Sequence, residues 1–424
     1  MPLNRSKTPK IYPILNLELP EPDLYYLDNG IPVYQVDLGT QEVCKIELVF
    51  PAGRAFESKR LAGRATTSLL KEGTRSFSAA DLAETLDFYG ATLQTPSNLD
   101  TSSIVLYTLN RCLEDVLPLL RSIIAEPVFS EQELQSFVKR NQQRLLVDLT
   151  KVDMMSFRQI TESMFGPDHA YGFNSTLEMY ADLTRADLLE HYQRLFTADN
   201  CRIFVSGKVP GNMKNLLNHY LGSGLHRGTV KPDLGLLRSE TPGKVHVKMP
   251  DTVQSSVRIG CRLFNRQHAD YTAMYVLNTV LGGYFGSRLM ANIREEKGYT
   301  YNISSSIDTL LFDGYFCVGT EVGNEFVTPA IQEIYREMAI LQEELIDDDE
   351  LEMVRNYLLG NILTSLDGPF NVAEVIKSQI VDELSIAQFA ESVEIIREID
   401  ATTLRNLARQ YFNRESMWEI VAGV

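Results

Sequence analysis

Residues 183–209 read LTRADLLEHYQRLFTADNCRIFVSGKV, and residues 399–424 read IDATTLRNLARQYFNRESMWEIVAGV. The two stretches align without a gap at an offset of 216 residues, which sets Leu188 on Leu404, Phe196 on Phe412, Val205 on Val421 and Gly207 on Gly423. Each spells a capped amphipathic helix, a short polar turn and an apolar strand that ends at glycine. A second pair keeps nearly the same spacing: SEQELQSFVKRN around Glu133 resembles DDDELEMVRNYL around Glu350 at an offset of 217. Two matches at nearly one spacing point to an internal duplication.

The duplication sets the domain plan. Residues 1–221 form the first half and residues 245–424 the second. Between them, residues 222–244 (GSGLHRGTVKPDLGLLRSETPGK) are rich in glycine, proline and charge and read as a linker. In the first half, Ile31–Gln35, Cys44–Phe50, Ala91–Thr95 and Ser103–Thr108 alternate as strands do. Leu61–Lys71, Ala79–Tyr89 (with Ser78 as cap), Leu113–Ala125 and Ser130–Asp148 read as helices. The second half repeats the plan, with strands at Val257–Leu263, Ile303–Ser306 and Tyr315–Thr320 and helices at Ala269–Leu281, Thr328–Leu345 and Asp348–Leu363. Strands and helices both come in pairs. This implies an α+β fold of two homologous α/β-roll halves, each a mostly antiparallel sheet covered by helices on one face.

Composition narrows the function classes. The chain has 424 residues, 44% of them apolar and 23% charged, as expected of two globular domains. A net charge of -16 disfavours nucleic acid and anionic membrane surfaces as partners and favours basic ones. The five cysteines, at 44, 112, 201, 261 and 317, form no Cys-x-x-Cys motif. Together with an N-terminus whose apolar residues are interrupted by Pro13, Asn16 and Glu18, they point to a reducing, cytoplasmic setting.

Three segments carry a family resemblance. PAGRAFE at 51–57, LAGRATTSLLKEGT at 61–74 and LGGYFGSRLMANIREEKGYTY at 281–301 resemble the pitrilysin or insulinase family of zinc peptidases, which includes the mitochondrial processing peptidases. The resemblance implies two similar halves facing each other and a paired chain that encloses a chamber for extended peptides.

It also implies a zinc motif, H-x-x-E-H, on the first helix, where two histidines one turn apart hold the metal and the glutamate activates water. Aligned on Gly73 and Thr74, the motif falls on residues 64–68, with Arg64 and Ser68 at the histidine positions and Thr67 at the glutamate position. The distal ligand falls near Leu145, with Asp148 close by. No register shift repairs this, because none of the six histidines (169, 191, 219, 226, 246 and 268) has another three or four residues away. A fixed cation at Arg64 further opposes a divalent metal. Without that role, Thr67 and Ser68 read as helix residues back-bonding to the preceding turn, and Arg64 as a solvated charge.

The family's second half contributes an arginine and a tyrosine seven residues apart, matched here by Arg294 and Tyr301. The arginine suits a peptide carbonyl or carboxylate, and the tyrosine hydroxyl suits an oxyanion. The plainer alternatives are a helix-end salt bridge for Arg294 and a half-buried strand position for Tyr301, with Tyr299 as a competing candidate. Arg288 reads as structural. Gly282, Gly283 and Gly286 follow a helix rather than a strand and lack a Gly-Lys-Ser/Thr sequence, which argues against a nucleotide loop. The expected function is a non-zinc-binding, substrate-handling subunit that acts on peptides with a homologous zinc-bearing partner, the zinc belonging to that partner alone. The alternative is a non-catalytic scaffold or a peptide-binding homodimer.

Overall fold

In the computed structural model, residue 14 and residues 16–237 and 241–424 are described. Residues 1–13 of the N-terminal stretch and residues 238–240 of the expected linker lie outside them. Six strands make the first sheet: β1 (Asp23–Tyr26), β2 (Pro32–Asp37), β3 (Val43–Pro51), β4 (Thr92–Gln94), β5 (Thr101–Leu109) and β6 (Arg202–Gly207). Five make the second: β7 (Lys244–Lys248), β8 (Gln254–Leu263), β9 (Ile303–Thr309), β10 (Gly314–Gly323) and β11 (Trp418–Gly423). The strand orders are β1-β2-β6-β3-β5-β4 and β7-β11-β8-β10-β9, so the second sheet repeats the first without β1. In each sheet one pair is parallel, β2 with β6 and β7 with β11, and the rest are antiparallel. The strands of the two quoted repeats, β6 and β11, hold the same place in their sheets.

The helices begin where the chain supplies caps. Ser78 makes a reciprocal capping box with Asp81 ahead of the helix Ala79–Phe88, and Ser130 caps Glu131–Asp148. In the quoted repeat Thr184 boxes with Asp187 and, in its copy, Asp400 accepts from the Thr403 N–H. Each cap satisfies backbone donors that a helix start leaves open, at about 1 kcal/mol apiece. One helix departs from the expected boundary. Tyr271–Asn278 continues as a π-helical turn over Thr279–Gly283, and a second π segment spans Met290–Glu296. The expected linker also ends earlier than its sequence suggests, since Lys244 already pairs with Glu419 in β7.

The expectation that helices cover each sheet on one face is incomplete. β3 is buried from Cys44 through Phe50, on both faces, which a one-sided cover cannot produce. The second cover comes from the other half. Helix Val152–Phe165, from the first half, lies on β8 and β11, while helix Pro369–Val381, from the second, lies on β2 and β6. The two helices start 217 residues apart, close to the 216-residue spacing of the quoted repeats, and each lies on the sheet of the other half. Ile160 and Phe165 are fully buried with Ile420 in one junction, and Ile376 packs with Val36 in the other. At about 1.5–3 kcal/mol per buried large apolar side chain, these junctions join the halves as firmly as a core does. Among the described residues no helix is long and apolar enough to cross a membrane.

Candidate functional site

The degenerate motif lies on the helix Ala62–Leu69. Its start is tightly built. Leu61 adopts φ 72, and both oxygens of Glu57 accept backbone N–H groups, from Leu61 at 3.0 Å and Gly63 at 2.8 Å. Gly63 is required by packing, since a Cβ there would lie 2.8 Å from the Ala52 carbonyl oxygen and 3.2 Å from the His191 ring. That ring is fully buried and donates through Nε2 to the Ala52 carbonyl at 3.1 Å. Burial lowers the His191 pKa to about 4, and it raises that of Glu57 to about 7 against its two N–H donors.

The three motif positions face different surroundings. Arg64 is exposed, with Nη1 3.5 Å from the Tyr180 hydroxyl. Thr67 is fully buried; its hydroxyl donates to the Gly63 carbonyl at 2.8 Å and lies 2.6 Å from the Ser102 hydroxyl on β5. This is the back-bonding its sequence suggested. Ser68 is half-buried. Leu145 belongs to the core, and Asp148 is engaged by Lys151 at 2.8 Å, whose hydrogen bond holds its carboxyl below the usual range. A guanidinium, a buried hydroxyl committed to two partners and a second hydroxyl do not make a zinc ligand set. Among the described residues no three His, Cys, Asp or Glu side chains cluster so as to hold a metal ion. What remains is a cavity of about 330 Å³ lined by Arg54, Glu57, Gly63, Arg64, Asn98 and Ser102.

In the second half, Arg294 lies in the π segment Met290–Glu296, with its guanidinium 4.6 Å from the centroid of the Phe285 ring. No ion pair joins it to Glu295 or Glu296 among the described residues, so the helix-end salt bridge is absent. Tyr301 precedes β9 and is 89% exposed, which removes the half-buried strand alternative. Tyr299, the competing candidate, stacks on Phe326 at 4.8 Å. Arg288 makes a two-pronged ion pair with Glu350, at 2.9 and 2.7 Å, and is structural. Gly282 serves close packing, since a Cβ there would meet Ser305 Oγ at 2.6 Å.

Tyr301 stands at the lip of a cavity of about 360 Å³ whose floor is a polar face of the second sheet, with Ser256, Arg258, Ser304 and Glu321, and whose wall includes Asp153 of the exchanged helix. Arg294 does not line it. Sequence reasoning passed over Arg258. The only local signal was the alternation Gln254, Ser256, Arg258, which puts polar groups on one side of a strand whose other side, Val257 and Ile259, is core.

Residues 182–358 match the family described as the peptidase M16 inactive domain. The uncharacterized zinc protease YmxG of Bacillus subtilis is 22% identical over 398 residues, covering 92% of this chain and 96% of that protein. The non-peptidase homolog YmxG of Helicobacter pylori is 23% identical over 84% of this chain and 87% of its own length. The solved structure of a peptidase M16 inactive domain from Pseudomonas fluorescens superposes with a TM-score of 0.87 at 18% identity, over 95% of this chain and 98% of that one. Residues 182–358 thus match the M16 inactive domain, and the chain shares the fold of the solved M16 proteins, in line with the resemblance of its sequence.

Proposed function

We propose that this chain, an M16 protein without the family's metal ligands, is the substrate-handling subunit of a zinc endopeptidase whose metal sits in a homologous partner chain. The observation that carries the reading is the contrast between the halves. Thr67 is absorbed into packing, whereas Tyr301 stands exposed above a polar cavity and Arg294 is free of any carboxylate partner among the described residues. A tyrosine hydroxyl and a guanidinium offered to solvent are the groups that can hold an extended peptide or stabilise an oxyanion on its scissile carbonyl. The name of the Helicobacter pylori relative, a non-peptidase homolog, agrees with a subunit that does not cut peptides by itself.

The test mixes the purified chain with a zinc-bearing M16 homologue from the same genome and follows cleavage of a fluorogenic peptide. Arg294→Ala and Tyr301→Phe should each lower kcat/KM of the mixture by about tenfold or more, as loss of one oxyanion or orienting donor does. Unchanged cleavage sinks the proposal. One observation favours the second reading, a scaffold or peptide-binding homodimer: the guanidinium of Arg294 rests on Phe285 rather than on the cavity wall. That reading gains if the variants alter pairing of the chains but leave cleavage intact.

A further inference from the structure

The exchanged helices give the molecule an internal control, because the same sheet position is covered twice with different chemistry. On β3, Lys45 lies opposite Ser206 and Glu47 opposite Phe204. At the 216-residue offset of the duplication those neighbours become Ala422 and Ile420, which lie opposite Ser256 and Arg258. Glu47 and Arg258 are therefore the same position of the two sheets. In the first half the exchanged helix neutralises it: Lys377 Nζ is 2.8 Å from Glu47 Oε1, and Lys45 Nζ is 2.6 Å from Glu47 Oε2. In the second half the exchanged helix makes no ion pair with Arg258 among the described residues, and the acidic groups nearby, Asp153 of that helix and Glu321 of β10, share the cavity lining instead. Ser156 accepts from Arg258 Nε at 3.1 Å and shares a hydrogen bond with Ser256 at 2.8 Å, and the Phe157 ring centroid lies 5.2 Å from the guanidinium carbon. No carboxylate pairs with Arg258 among the described residues.

The guanidinium is held in place as well as unpaired. Gly319 lies directly opposite Arg258 on β10, and a Cβ there would sit 3.0 Å from Arg258 Nη1. The bare glycine backbone makes the shelf on which the side chain rests. Pinned at Nε and along one edge, with the Cys317 thiol as a further neighbour, the planar fork lines the cavity that Tyr301 overhangs. That cavity of about 360 Å³ falls within the range of ligand clefts, ~300–1,000 Å³. Ser304, Thr300 and Asn302 line its side with further hydrogen-bonding groups. A half-buried guanidinium facing a cleft suits the two parallel N–H···O bonds of a carboxylate. Asp153 and Glu321, also on the lining, repel a second negative charge and so discriminate against polyanions.

We propose that Arg258 is a docking site for a single peptide carboxylate, placed so that the rest of the peptide passes out beneath Tyr301. The proposal rests on the peptide-handling reading above and specifies its ligand. Two sources share the chemistry: a peptide C-terminus and an acidic side chain.

The test uses the full-length chain alone and three labelled peptides of one sequence without other acidic residues, followed by fluorescence anisotropy. The first has a free C-terminal carboxylate, the second is C-terminally amidated, and the third is amidated but carries one internal glutamate. The first, the third or both should bind at least about tenfold more tightly than the second, and which of them does identifies the source. Arg258→Gln should erase that difference and leave the amidated peptide unaffected, while Arg258→Lys, which keeps charge without the fork, should restore only part of it. Gly319→Ala keeps Arg258 but pushes Nη1 off its shelf, and it should weaken carboxylate binding several-fold with an unchanged circular dichroism spectrum. If carboxylate and amide peptides bind alike, if no carboxylate peptide binds at millimolar concentration, or if both Arg258→Gln and Gly319→Ala leave binding intact, the proposal is overturned. No partner chain enters this assay. Its failure therefore leaves the mixed-chain cleavage test standing, and failure of that test leaves the binding result standing.

Discussion

Glu47→Gln should cost the chain several times more stability than Glu374→Gln, although both remove one carboxylate from the same four-membered ion cluster. Lys45 and Glu47 have side chains only 5% and 3% exposed, whereas Lys377 and Glu374 are 22% and 46% exposed. Each lysine contacts both glutamates, so the cluster is neutral and spans the junction between the first sheet and the second half's exchanged helix. Removing the Glu47 charge leaves a buried Lys45 facing Lys377, with only the half-exposed Glu374 between them. At an effective dielectric constant near 20, a unit pair at 4 Å is worth about 4 kcal/mol, and breaking buried pairs costs about 3–5 kcal/mol. Glu374 is partly screened by water, and its loss should cost about 1 kcal/mol or less. Urea unfolding followed by circular dichroism and by the fluorescence of Trp418, the only tryptophan, gives both values and shows whether the halves unfold together. The reasoning fails if Glu47→Gln lies within about 1 kcal/mol of the parent, or if Glu374→Gln costs as much.

Two further effects are expected. Thr67→Val removes the bonds to Gly63 and Ser102 without changing side-chain size, and should destabilise by about 1–3 kcal/mol in the same urea assay, because it leaves the Ser102 hydroxyl buried and short of a partner. Glu57 and His191 should oppose each other in pH dependence. The raised Glu57 pKa gives stability that is present below its ordinary value of 4.5 and lost as pH rises toward about 7, and the depressed His191 pKa gives stability that is present above its ordinary 6.5 and lost as pH falls toward about 4. Unfolding curves between pH 4 and 8 should thus fall with pH in His191→Gln, rise with pH in Glu57→Gln, and vary less than either in the parent; parallel profiles would refute the assignment.

The fold was legible where the chain repeats itself and caps its helices. The pair of helix-turn-strand units, the caps at Ser78 and Ser130, and the alternation in β3 and β8 are local signals, and the structure follows them. The exchanged helices were not legible, because their burial is decided by residues more than 100 positions away. Helix Pro369–Val381 presents Lys377 to a sheet, and Val152–Phe165 presents Ser156, so neither shows the clean apolar stripe of a helix on its own core. The degenerate motif had an address in the sequence but no environment. Thr67 and Arg64 are three residues apart, yet one is sealed beneath β5 and the other faces solvent. Arg258 escaped notice for a related reason. An arginine in a strand reads as a solvent-side residue until the empty place opposite it, Gly319, and the serine that the helix above presents to it are seen together.

The positions that the family resemblance assigns to a metal site are taken up by packing in several elements. A glutamate at position 67 would need the space in which the Ser102 hydroxyl lies 2.6 Å from Thr67. A ligand at position 145 would replace a core leucine, and Glu57 is already bound by both oxygens to the helix start. At these positions the first half thus holds packing contacts. The second half has done the reverse. It leaves Tyr301 and Phe285 largely exposed, at 89% and 62%, and keeps, beneath the former, a fixed guanidinium with no direct ion pair among the described residues. Exposed aromatic groups and an unpaired, half-buried cation lower stability relative to a satisfied surface, as the neutral cluster at the matching place in the first sheet makes plain. The two sheets share one strand order and so face the same folding problem. Where one solves it with matched charges and the other holds an arginine with no direct ion pair, the difference is not a requirement of the fold, and it is this difference that the proposed carboxylate site uses.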